Sequence, residues 1–208
     1  MLTPDGCPVE AYAVLPAEPE LSVVRRHAAG RHGVLDLGAG TGRIADPLAL
    51  DGHDVLAVDE SGAMLAHVRH ARSMVARIDE LAVGERFDLV LLLSHLVNEP
   101  DRRHRLALLR AAVGHLAEHG LLLIQRHDPS RPLRAGAVRR GEVEVALSEV
   151  DTARWPLVGA VTRYRLGDQT WDQPWTAEIL DDPGIADVLA AAGLTMLTAD
   201  GAWVTATN

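Results

Sequence analysis

Two carboxylates and three glycines define the chemistry open to the first half of this 208-residue chain. In VLDLGAGTGR, residues 34–43, Asp36 stands two residues ahead of Gly38, and Gly40 and Gly42 follow at alternate positions. Such a loop reaches backbone conformations closed to other residues and lets a ligand approach the main chain closely. A helix starting near Gly42 is expected to point free N–H groups and a positive dipole end at that ligand. A carboxylate at position 36 repels a pyrophosphate and suits a cation, such as a cofactor carrying an ammonium and a sulfonium. Asp59 lies 21 residues beyond Gly38, close to the ~20-residue spacing at which an acid reaches ribose hydroxyls. It ends an apolar run, where a carboxylate needs a polar partner. His95 and His127 follow two later apolar runs. With an ordinary pKa of about 6.5, either is a candidate general base.

The elements that must hold these residues follow from periodicity. Residues 34–37, 53–58, 73–78, 87–93 and 121–124 read as strands, and the run FDLVLLL at 87–93 is the continuous apolar pattern of a buried parallel strand. Helices are expected at 44–50, after the cap Ser61 with Met64, Leu65 and Val68 inward, and at 101–118 with Leu106, Leu109, Val113 and Leu116 inward. This alternation means βαβ units around a mostly parallel sheet. The first thirty residues form one or two short helices covering the sheet, with Tyr12 a candidate for a lid over the site. Beyond His127 the pattern changes. An Arg- and Pro-rich loop is expected at 128–141, then alternating strands through Val143–Leu147, Val158–Tyr164 and Thr170–Trp175. Asp182 and Pro183 open a last helix that Gly193 stops, and two strands close the chain. One domain is expected: a helical cover at 1–30, a cofactor core at 34–127 and an antiparallel, substrate-side extension at 128–175.

Composition narrows the function classes. The net charge of −9 disfavours nucleic acid and anionic membranes as partners. No apolar run approaches the ~20 residues of a membrane span. The N-terminus lacks the pattern of a signal peptide, and the single cysteine permits neither an internal disulfide nor a cysteine-rich zinc site. A cytoplasmic monomer or homodimer is expected. With no HEXXH or paired ligand spacing, no metal is expected.

Taken in order, LDLGAGTGR, VDESGAML, ARIDEL, FDLVLLLSHLVN and HGLLLIQRH resemble the class I S-adenosylmethionine (SAM)-dependent methyltransferases, over about Val34 to Arg126. The resemblance implies a Rossmann-like, doubly wound α/β sheet of seven strands, the last antiparallel, with SAM at the carboxyl ends of the strands. It places Asp36, Gly38 and Gly40 at the methionine end, Asp59 on the ribose diol and Met64 against adenine. Ile78 would give a backbone N–H to the adenine ring, and Ser94 its carbonyl to the ammonium. Arg77 stands where the family often has an acid for the adenine amino group, with Asp79 as a substitute.

The implied reaction is methyl transfer to an oxygen or nitrogen of a small-molecule acceptor. Asn98, Glu99 and Asp128 are secondary candidates for orienting that acceptor, and Arg131, Arg134, Trp155, Trp171 and Trp175 for lining its pocket. SHLVN after the fourth strand, in place of an (N/D)PP(Y/F) motif, counts against amino-methylation of DNA adenine or glutamine. Two alternatives stand beside this reading. One is a non-methylating SAM-binding member of the same fold. The other is a nicotinamide oxidoreductase, against which Arg43 at the third glycine position and Asp36 both count.

Overall fold

Successive residues of a strand face opposite sides of a sheet, and in β1 (Gly33–Leu37) this sorts the core into two layers. Leu35 and Leu37 join the cluster under α5 (Arg102–His115) and α6 (Asp182–Ala191). Val34 joins the cluster under α2 (Glu20–Ala28) and α3 (Ala45–Leu50). The computed structural model describes all residues, 1–208. Its main sheet adds β2 (Asp54–Asp59), β3 (Arg72–Val75), β4 (Phe87–Leu92), β5 (Leu116–Gln125), β10 (Thr195–Asp200) and β11 (Trp203–Thr207). The order is β10-β11-β5-β4-β1-β2-β3, with β11 alone antiparallel to its neighbours. This is the doubly wound arrangement expected from the sequence. No helix is long and apolar enough to cross a membrane.

Between β5 and α6 the chain builds a second, antiparallel sheet from β6 (Gly136–Arg140), β7 (Val143–Arg154), β8 (Leu157–Leu166) and β9 (Gln169–Glu178). Its outer face carries the cross-strand ion pairs Arg163–Asp172 and Arg165–Glu144. The inner face presents Tyr164 and Trp175 to the first sheet's strand ends. Several polar ties fix this second sheet to the rest, among them the following. The Tyr164 hydroxyl meets that of Tyr12, at the end of α1 (Val9–Tyr12), at 3.0 Å. Arg140 donates to Glu20. Asn98 donates to the Glu178 carbonyl at 2.7 Å and accepts the His127 N–H at 2.8 Å.

Several boundaries differ from the sequence expectation. The helix expected over 101–118 ends at His115, because Leu116 already pairs with Phe87 in the sheet. The strand expected over 73–78 is the exposed edge Arg72–Val75, and Ile78 instead opens a 3-10 turn to Glu80. Residues 136–140, expected as loop, form an edge strand on β7 through a turn at left-handed Gly141. The helix after the glycine loop begins at Ala45 rather than near Gly42; Gly42 has a left-handed backbone, and a Cβ there would lie 2.8 Å from Val68. The last helix is capped by Asp181, one residue earlier than expected, whose carboxylate accepts the Gly184 N–H.

Asn98, 1 % exposed, closes the junction between the two sheets. Asn98→Ala leaves a part-buried carbonyl and a part-buried N–H without their partner, and is expected to cost about 1–3 kcal/mol of stability, measured by urea denaturation.

Candidate active site

A cavity of about 870 Å³ lies between the carboxyl ends of the parallel strands and the inner face of the second sheet. Its floor begins at the loop after β1. The N–H groups of Gly38 and Ala39 donate to the Val58 carbonyl, and that of Gly40 donates to an Asp59 carboxylate oxygen at 2.8 Å. The other Asp59 oxygen accepts from Ser61 N–H, also at 2.8 Å. Asp59 therefore locks the loop to the turn before α4 (Gly62–Leu65), leaving each oxygen one lone pair for a ligand. Ser61 caps α4 by accepting from Met64 N–H, which sets Met64 in the cavity wall.

Gly40 is left-handed, and a Cβ built on it meets nothing within 4 Å. The space above that backbone is open. Gly38 differs, since its Cβ would lie 2.7 Å from Leu96 Cδ1. Asp36 is 2 % exposed and lies behind this wall rather than in it, on the strand face of Val34. Burial pushes its carboxyl up to about 7; Arg43 pulls the other way, and Asp59 adds to the rise. Asp36, expected at the methionine end, thus lies behind the loop and not in the cavity wall.

The acceptor end is built from the strands that carry His95 and His127. Ser94 and His95 both take left-handed backbone (φ 53° and 64°), a strain of about 1–2 kcal/mol each. Gln125 accepts the Ser94 N–H at 3.0 Å, and the His95 carbonyl accepts from Asn98 N–H at 2.8 Å. This turn stacks the His95 ring on His127 at 4.1 Å, and His127 stacks on Trp175 at 5.1 Å. Trp175 is fixed in turn by its indole N–H donating to Thr162 Oγ1 at 2.9 Å. His95 Nδ1 is buried without a hydrogen-bond partner. Burial lowers the pKa of His95, and burial together with His95 drives that of His127 down to about 3. Both rings are therefore neutral near pH 7, and His127 in particular is too weakly basic for the general-base role expected at an ordinary pKa.

Of the remaining candidates, Tyr12, Ile78 and Ser94 line the cavity, Tyr12 pinned by Tyr164 and by Thr41, whose hydroxyl donates to the Tyr12 carbonyl. Asp79 is there too, but its carboxylate is engaged by Arg77. Asn98 is spent on the sheet junction, Asp128 accepts from Ser130 and faces Arg131, and Glu99 accepts from Asp101 N–H. Trp171 packs beside Tyr164 in a separate small cluster. Sequence reading missed Glu20, Arg43 and Arg140, which meet in one wall. Burial works to raise the Glu20 carboxyl, yet Arg140 and Arg43 hold it below its ordinary value. Gln173, also missed, lies on the cavity face of β9, two positions from Trp175.

Comparison with known proteins agrees with this geometry. A family model described as a methyltransferase domain matches residues 34–120. Over residues 34–120 this chain is therefore similar to methyltransferase domains. A glycine/sarcosine N-methyltransferase of Parasynechococcus marenigrum (strain WH8102) is 33% identical over 145 residues, covering 59% of this chain and 50% of that protein. The chain thus spans about half the length of this curated relative. Among solved structures, a sugar N-methyltransferase from Streptoalloteichus sp ATCC 53650 aligns with TM-score 0.72 at 19% identity, over 98% of this chain and 93% of the other. A SAM-bound amino pentose methyltransferase from Micromonospora echinaspora aligns with TM-score 0.72 at 23% identity, over 92% and 89%. These structural likenesses are likenesses of fold.

The open space over Gly40 and the Asp59-braced loop fit SAM. Gly40→Ala is expected to cost stability only about 1 kcal/mol, while lowering SAM affinity more than ~10-fold, because the methyl fills the ligand's space. Asp36 gives the domain a pH signature. Below about 7 its carboxyl is mostly protonated and no longer attracts a cation through the loop, so SAM affinity should rise modestly, by less than ~10-fold in all, as pH climbs through 7. Calorimetric titration of Asp36→Asn should show that slope flattened.

Proposed function

We propose that this chain transfers a methyl group from SAM to a small-molecule acceptor, at nitrogen or oxygen, with nitrogen favoured. The observation that carries the reading is one continuous cavity joining the glycine cradle to the His95–His127–Trp175 stack. SAM supplies an electrophilic methyl group on a sulfonium. The chain's own residues align the acceptor and exclude water, and alignment alone supplies much of the rate of such displacements. In this reading Asp59 holds the ribose, Gly38 and Gly40 the methionine end, and Met64 and Ile78 the adenine. Ser94 faces the reacting end.

The stack favours nitrogen. An imidazole whose conjugate acid has a pKa of about 3 cannot strip a hydroxyl near neutral pH. An amine needs no such base once its own proton has left to water, and a neutral stack adds no positive charge to repel the sulfonium. The named activities of relatives, an N-methyltransferase of glycine and sarcosine and one of sugars, agree with that preference. His95 and His127 then act as a positioning wall. The chain's net charge of −9 supports a small acceptor over nucleic acid.

Tritiated-methyl transfer over a panel of small amines, amino sugars and phenols tests the reading. Transfer to amines is expected, with rates following the amine's own titration and no inflection at a histidine pKa. His127→Asn should lower turnover less than the ~100-fold expected of a lost general base. SAM binding without transfer to any acceptor would overturn the enzymatic reading.

A further inference from the structure

We propose that the acceptor carries an anionic arm, and that a second cavity behind His127 receives it. This rests on the methyl-transfer reading above. The second space measures about 280 Å³ and shares three wall residues, His127, Leu133 and Leu147, with the main cavity. The two spaces therefore adjoin across those side chains, at the reacting end rather than the adenine end. The second cavity is further lined by Arg131, Arg134 and Trp155, which the main cavity does not share.

Charge and exposure identify the occupant. Two guanidinium groups stand there against one carboxylate, Asp128, which lies 3.3 Å from Arg131 and also accepts from both the N–H and the hydroxyl of Ser130. Arg134 has no ion-pair partner, so one positive charge is uncompensated in a chain of net charge −9. A guanidinium fork matches a carboxylate or phosphate in two-point geometry. Beside it Trp155 is 58% exposed, an indole left open on the cavity rim. An indole there offers a flat apolar platform for the stem of such an arm. The acceptor class is thus a small molecule with its reacting nitrogen at the stacked wall and a carboxylate or phosphate on the other side of His127.

The test uses three probes, 3-phenylpropionate, phenyl phosphate and 3-phenylpropionamide, titrated by ligand-observed NMR into the full chain with saturating S-adenosylhomocysteine and again without it. The anions are expected to bind at least ~10-fold tighter than the amide. In Arg131→Gln/Arg134→Gln that preference should fall to about twofold or less while S-adenosylhomocysteine affinity is unchanged. Both arginines are surface-exposed, so the variant keeps its fold. Trp155→Ala should weaken anions and amide alike. Equal binding of anion and amide, or a preference that survives the double substitution, would overturn the anionic-arm proposal alone. Failure of S-adenosylhomocysteine to bind would overturn the methyltransferase reading, whatever the probes do. The ranking of carboxylate against phosphate, within a retained preference, identifies which anion the arm carries.

Discussion

One carboxylate holds the cofactor half together. Both oxygens of Asp59 accept backbone N–H groups, from Gly40 on the loop after β1 and from Ser61 on the turn after β2. The loop can take its left-handed glycine path only because something outside it supplies acceptors for those donors, and a buried N–H without a partner is costly. Asp59, together with the Val58 carbonyl, makes the cradle a fixed surface. The same side chain that would grip a ribose therefore also sets the shape on which the methionine end would rest.

The acceptor half follows a different rule. There the main determinants are packed rings held in unfavourable backbone geometry. Two successive non-glycine residues in left-handed conformation persist because Gln125 bonds to that turn from β5 and the turn closes on itself through the Asn98 N–H to the His95 carbonyl. Such strain concentrates at functional sites where the surroundings over-determine the conformation. Its product is a wall of three stacked rings facing the cavity, with neutral imidazoles where an exposed histidine pair would carry charge near pH 6.

The alternation of strands and helices, the glycine loop and the position of Asp59 were legible because each is local. An apolar strand, a glycine run and an acid at a strand end all sit within one βα unit, and periodicity reports them directly. The roles of His95 and His127 were not legible. Their placement at strand ends could be read, but their basicity depends on burial by Trp175, some fifty residues further along the chain. Asp36 is a similar case. Its charge is evident in the sequence, while its position behind the wall follows from the alternation of β1 and from what α2 and α3 cover. Glu20, Arg43 and Arg140 were missed because their meeting joins three distant segments. The edge strand β6 was missed because GAVRR carries little pattern of its own and is ordered by pairing with β7.

The antiparallel sheet enters the chain at a single point, after β5, and leaves it at a single point, before α6. The residues that would grip SAM all precede that insertion, as do His95 and His127, while Trp175 and the inner face that closes the cavity lie within it. Changes confined to the hairpins from Gly136 to Glu178 would therefore reshape the roof of the cavity while leaving the glycine loop and Asp59 in place.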